Sequence, residues 1–183
     1  MKEKLFKILK NVFLIWGIVS ALGLLLIGVY LLYGITIGNK TTKDKATKED
    51  VRFVLNWCEL GDERIKEVTN SYQSARSLSG DHIDAYEIEV TKLTEEELKS
   101  SNYTQTGNFY RGDSLPKILD EAIDLADMSQ EDFPWFPKKE EITTSNYYVR
   151  SWSISYHGTS VRSIKLTILN PKKKKVYYIS SSM

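Results

Sequence analysis

Between Lys10 and Lys40 the chain carries no charged residue. Val12 to Gly38 reads VFLIWGIVSALGLLLIGVYLLYGITIG, 27 residues that are almost all apolar. A helix needs about 20 apolar residues to cross the hydrocarbon core of a bilayer. In lipid the backbone polar groups must be satisfied internally, and a helix does this within one segment. The pattern therefore predicts a transmembrane helix over 12–38. Trp16 near one end and Tyr30 and Tyr33 near the other suit the two membrane–water interfaces. At ~1.5 Å per residue the run is slightly longer than a ~30 Å core, which predicts tilt or an interfacial end.

A cleaved signal fits less well. Its apolar region is typically about 7–15 residues, followed by small residues at the cleavage site. Here the exit is Ile35-Thr36-Ile37-Gly38-Asn39, with no such site. The single cysteine, Cys58, follows Leu55-Asn56-Trp57, unlike a lipoprotein cleavage box. The expectation is an uncleaved signal-anchor. Lys2, Lys4, Lys7 and Lys10 precede it; Lys40, Lys43, Lys45, Lys48 and Arg52 follow. Lysine and arginine counts are nearly tied, but a long C-terminal domain translocates largely regardless of charge. The expected topology is a single pass in the cell membrane. Residues 1–11 form a cytoplasmic tail, 39–46 a linker and 47–183 an extracytoplasmic domain. Gly17 and Ala21, like Gly34 and Gly38, have small-xxx-small spacing, which lets helices approach and offers a weak route to homodimers.

Beyond the span, charge is uneven. Residues 40–141 hold 14 Lys/Arg and 23 Asp/Glu, a net of −9; residues 142–183 hold 7 Lys/Arg and no acid. The sum is −2, which argues against a nucleic-acid partner. A lone cysteine excludes an intramolecular disulfide. Cys58 falls in the pattern Val51, Val54, Leu55, Cys58, the inner face of a helix.

Thr47-Lys-Glu-Asp50 fits a capping box, opening a helix to about Leu60 with Gly61 as its C-terminal cap. Tyr86, Ile88 and Val90 alternate with Glu87 and Glu89, a half-buried strand. With Ser79-Gly80-Asp81 as a turn, 70–78 becomes its hairpin partner. Thr94-Glu-Glu-Glu97 opens a short second helix. Asn102 to Asp113 reads as a polar loop. A third helix starts at Ser114-Leu-Pro116, with Leu115, Leu119, Ala122 and Ala126 on one face. After Phe133-Pro-Trp-Phe-Pro137 the period changes to two. Tyr148 to Tyr156, Ile164 to Ile168 and Val176 to Ile179 make a three-stranded C-terminal meander, turned at Gly158 and Asn170-Pro171. The fold class is α+β: a transmembrane helix, then an antiparallel sheet of hairpin plus meander, with helices covering one face.

No G-x-S-x-G, Walker or HExxH pattern occurs, and no cofactor or catalytic residue is assigned. Cys58, His82 and His157 have no spacing that suggests a nucleophile and base. Asp81, His82 and Asp84 are too sparse for a calcium loop and read as a hairpin tip. Asp120, Asp124 and Asp127 read as a solvated helix face. Arg111-Gly112-Asp113 spells an adhesion tripeptide, but three letters recur by chance. Asn39-Lys-Thr41 and Asn102-Tyr-Thr104 match the glycosylation acceptor pattern.

The strongest ligand-binding candidate is the meander. Tyr148, Arg150, Trp152 and Tyr156, with Lys172, Lys173, Lys174 and Lys175, set aromatic rings beside cations. Rings stack on sugars or bases, and lysine and arginine meet phosphates or carboxylates. Aromatics are also ordinary strand residues, and the lysines form a turn that water solvates. The expected function is a membrane-anchored, extracytoplasmic binding or interaction module at the cell envelope. Its partners would be the bilayer through 12–38 and an anionic envelope polymer or a membrane protein. An accessory subunit of a larger membrane complex is the alternative reading; an envelope hydrolase fits least.

Overall fold

The computed structural model describes residues 2–34, 40–43, 45–77, 80–100, 108–128 and 130–183. It divides into two compact units, Met1–Lys40 and Thr41–Met183. The first is helix α1 (Lys2–Tyr33). Within it Leu9–Tyr33, 25 residues, is long and apolar enough to cross a membrane by length and composition. That stretch is about 38 Å long. Phe13, Trp16, Leu24, Leu26 and Tyr30 are all exposed, so apolar surface points outward in every direction. Residues 35–39 lie outside the described residues, and with them Gly38 and the acceptor Asn39.

The second unit opens with α2 (Lys48–Trp57). Its capping box forms as expected: the Thr47 N–H donates to Asp50 Oδ2 at 2.8 Å. Its other end differs from the Gly61 expectation. Glu59 takes the left-handed position at φ +57°. The Leu60 N–H donates to the Leu55 carbonyl and the Glu59 N–H to that of Asn56, each at 3.0 Å. This double closure is a Schellman motif, with a glutamate where glycine is usual.

Strand β1 (Ile65–Gln73) pairs with β2 (His82–Val90) in the expected hairpin, with Gly80 at φ +90°. β1 begins earlier than the 70–78 expectation and ends sooner. Ile65, Val68 and Tyr72 are spaced like a helical face because two register shifts interrupt the ladder, between Ile65 and Glu67 and between Val68 and Asn70. Each bulge adds a residue and breaks the two-residue period.

α3 (Glu95–Ser100) follows the Thr94 capping box, and β3 (Tyr110–Arg111) is a two-residue strand. Residues 101–107, with the acceptor Asn102, lie outside the described residues. α4 (Lys117–Asp127) starts three residues after the expected Ser114. Pro116 excludes the residue before it from helical backbone, so Leu115 is extended (φ −73°, ψ 138°). After α5 (Lys139–Ile142) come β4 (Tyr148–His157), β5 (Ser160–Asn170) and β6 (Lys175–Ser182), the expected meander.

All six strands form one antiparallel sheet in the order β1-β2-β6-β5-β4-β3. β6 zips the hairpin to the meander, from His82 opposite Ser182 to Glu89 opposite Lys175. Helices cover both faces rather than the one expected. Leu119, Ala122 and Ile123 of α4, with Phe133 and Ile142, pack on Ala85, Val149, Leu166 and Ile179. Val51, Val54, Leu55 and Cys58, with Leu98 of α3, pack on Val68, Ile88, Tyr148, Val176 and Tyr178. Adjacent residues such as Tyr148 and Val149 therefore bury on opposite sides, as continuous apolar runs do in two-sided sheets.

Candidate functional site

Successive side chains of a strand point to opposite faces. Tyr148, Arg150 and Trp152 consequently share the α2-covered face of β4. Arg150 is 0 % exposed. Its guanidinium carbon lies 4.3 Å from the Trp152 ring centroid and 5.1 Å from that of Phe109. A desolvated cation between two rings gains roughly 2 kcal/mol or more from the ring quadrupoles. The Trp152 indole N–H donates to Thr167 Oγ1 at 2.9 Å, which fixes the ring.

The aromatic cluster continues across α2. Trp57 lies 5.3 Å from Trp152, Phe53 lies 4.8 Å from Trp57, and Tyr178 of β6 lies 5.2 Å from Phe53. Trp57 is still 39 % exposed, so the cluster reaches the surface. Phe53 and Trp57 escape the sequence reading, which ranks only the inner stripe of that helix. Their i, i+4 spacing is the signal that marks them as neighbours.

Cys58 sits beneath this cluster. Burial pushes its thiol up to about 12, and the Arg150 charge and the Thr167 hydroxyl pull it back only in part. The thiol is the nucleophile's protonated, inert form at neutral pH. His82 and His157 lie on β2 and β4, three strand spacings apart, about 14 Å. Cys58, His82 and His157 do not converge.

Another grouping does bring His82 to a hydroxyl. Ser180 Oγ lies 3.4 Å from His82 Nε2, and Asp84 Oδ2 lies 4.0 Å from the same nitrogen. In a hydrolytic triad the acid holds the ring nitrogen opposite the serine. Here His82 Nδ1 is occupied by the Gly80 carbonyl at 2.8 Å. β6 is hydrogen-bonded on both sides, so its N–H groups serve the ladder rather than an oxyanion. The trio spans two adjacent polar rows of one sheet face.

The remaining candidates separate along β4. The Tyr148 hydroxyl donates to Glu95 Oε2 at 3.4 Å; burial first, then the Glu95 charge, raises its phenol. Tyr148, Lys99 and Arg111 line a cleft of about 450 Å³. Tyr156 is 42 % exposed at the far end of the strand, eight residues and about 26 Å away. Lys172, Lys173 and Lys174 form the exposed β5–β6 turn, held by the Lys173 N–H donating to Asn170 Oδ1 at 3.0 Å. Lys172 and Lys173 border a second cleft, of about 350 Å³, with Glu140, Glu141 and Tyr147. Lys175 turns inward and pairs with Glu87, which is 4 % exposed. Burial pushes the Glu87 carboxyl up, but hydrogen bonds from Lys175, Asn70 and Thr69 outweigh it and hold it below its ordinary value.

Two other sequence features are structural. Asp120 and Asp124 of α4 bind Lys139 Nζ at 3.0 and 2.6 Å, tying α5 to α4. Arg111 donates to both Asp113 oxygens, at 2.6 and 2.8 Å, so the adhesion tripeptide is closed on itself. A Cβ on Gly112 would meet the Ile142 carbonyl at 2.0 Å, so this glycine is required for packing. Among the described residues, no group of three His, Cys, Asp or Glu side chains could hold a metal ion. Comparison of the chain with protein-family models, with curated proteins and with solved structures gives no match.

Proposed function

We propose that this chain is a single-pass membrane-anchored binding module whose domain lies on the extracytoplasmic side of the cell membrane. The observation that carries the reading is the contrast within one chain. α1 turns apolar side chains outward in every direction, whereas the Thr41–Met183 unit buries its apolar residues in two cores of its own. The first needs lipid and the second needs water. The N-terminal lysines stay in the cytoplasm, and the folded domain crosses.

Within the domain, the proposed ligand-facing candidates are Trp152 and Tyr156 along β4, with the exposed Lys172–Lys174 turn at the other end of the sheet as a separate, second candidate surface. Tyr148 and Arg150 are buried under α2 and α3, and Lys175 pairs with Glu87 on the opposite face. Rings and exposed cations on one domain favour an anionic, polyhydroxylated envelope polymer.

A topology reporter tests this. Alkaline phosphatase fused after Met183 should be active and remain with the membrane fraction after alkaline extraction. An inactive fusion, matched by a fluorescent cytoplasmic one, overturns the orientation. Release of the domain into the soluble fraction overturns the anchor. Exchanging residues 12–38 for an unrelated span should leave ligand binding intact; loss of binding favours the accessory-subunit reading.

A further inference from the structure

The face of the sheet under α2 has two halves. One is covered by α2 and α3. On the other, the strand register sets polar side chains in rows across four strands. His82, Ser182, Ser163 and Ser155 are successive partners, and so are Asp84, Ser180, Lys165 and Ser153. Ser153, Ser155 and Lys165 are exposed, Ser163, Ser182, His82 and Asp84 are half-buried and Ser180 is buried, so the rows open to water at their β4–β5 end. Adjacent strands space these groups ~4.8 Å apart, close to the length of one sugar ring. Ser155 Oγ and Ser163 Oγ are 2.6 Å apart, and each hydroxyl keeps further donor or acceptor capacity. The next row is aromatic, with Tyr86 opposite Tyr178 and Trp152 bonded to Thr167. The exposed edge of Trp57 borders it.

We infer that this open half-face binds a carboxylate-bearing glycan chain. Hydroxyl rows that both donate and accept match sugar hydroxyls, and the Trp57–Trp152 edge offers a ring for a sugar face to lie on. Asp84 is neutralised by Arg76 at 3.1 Å. Lys165 forms no ion pair with a described residue and supplies the charge for a carboxylate. Other polymers fit less well. A nucleic acid brings one charge about every 3.4 Å per strand, against one lysine. An extended peptide takes main-chain partners, and these are offered by the outer edge of β4 beyond Val149, which pairs only with β5, rather than by this face. An apolar surface would strip the hydroxyls of water without replacing their hydrogen bonds.

The inference rests on the binding-module reading but not on its orientation. It also places the ligand away from the Lys172–Lys174 turn. The test uses the full chain in phosphatidylcholine nanodiscs, titrated with hyaluronan oligosaccharides while tryptophan fluorescence is read. Dextran and polyglutamate serve as the uncharged-sugar and sugar-free-anion comparisons. Saturable hyaluronan binding is expected, with Lys165→Ala weakening it about tenfold, the loss of one charge-assisted contact. Ser163→Val should weaken it severalfold, and both comparison polymers should bind more weakly. Absence of hyaluronan binding overturns the inference, as does equal binding of dextran or of polyglutamate. If replacing Lys172, Lys173 and Lys174 by alanine abolishes binding while Lys165→Ala does not, the inference fails and the turn-based reading stands. A cytoplasmic topology reporter changes the orientation alone.

Discussion

The covered and open halves of one sheet face are built from the same strands, with the same alternation and hydrogen-bonded ladders. They differ in what the inward parity carries. Arg150 and Lys165 are both cations on that face. Arg150 is closed between Trp152 and Phe109 under the helices, whereas Lys165 stands in water. Strand geometry alone therefore does not decide what is core. α2 and α3 settle on the apolar half, and Ser153, Ser155 and Lys165 of the serine-rich half stay exposed.

The largest expected effect tests that division. Arg150→Ala should destabilise the domain by about 3 kcal/mol, through a lost buried charge interaction and the space left behind. Arg150→Met should recover most of this, because a volume-matched apolar residue in place of a buried ion is often nearly neutral. Urea unfolding midpoints compare the two; equal losses would break the account of Arg150 as a packed, stacked cation.

Next comes the buried charge on the other face. The Glu87 carboxyl lies below its ordinary value in the fold. Its contribution is therefore complete above the unfolded value, about 4.3, and is lost as pH falls through the lower folded value. Thermal unfolding from pH 6 to pH 3 should show wild type losing more stability than Glu87→Gln. Parallel curves would remove Glu87 from the acid response.

Glu59→Gly should stabilise by about 0.5–1 kcal/mol, because glycine occupies the left-handed cap of α2 without a Cβ penalty. A melting temperature that falls instead would show that Glu59 makes a contact worth more than the strain. The smallest effect belongs to the open half. Lys165→Ala should change stability by no more than about 0.5 kcal/mol. A larger loss by the same urea assay would mean that the open half is structural, and the contrast with Arg150 would disappear.

Local signals were legible and distant ones were not. The Thr47–Asp50 cap and the meander follow from neighbouring residues and a period of two. β1 was misplaced because its two bulges imitate helical spacing. Pairing of β2 with β6 joins segments some 90 residues apart, and no local pattern announces it. The Tyr148, Arg150, Trp152 face was visible in the alternation. Which of them is covered depends on Phe53 and Trp57, brought from a helix nearly 100 residues earlier. Ser153, Ser155, Ser163 and Lys165 were legible as the polar members of the same strands. Their alignment into rows needed the register.

The start of the domain has a mechanical consequence. Thr42 bridges Gln73 through two backbone hydrogen bonds of 2.7 and 2.9 Å, at the end of the edge strand β1. Tension arriving along the chain from α1 loads this bridge before it reaches Val51 and the core. Two hydrogen bonds act there as a fuse. With the Ala75 N–H donating to Thr41 Oγ1 at 3.2 Å just before them, they stand between the tether and the sheet.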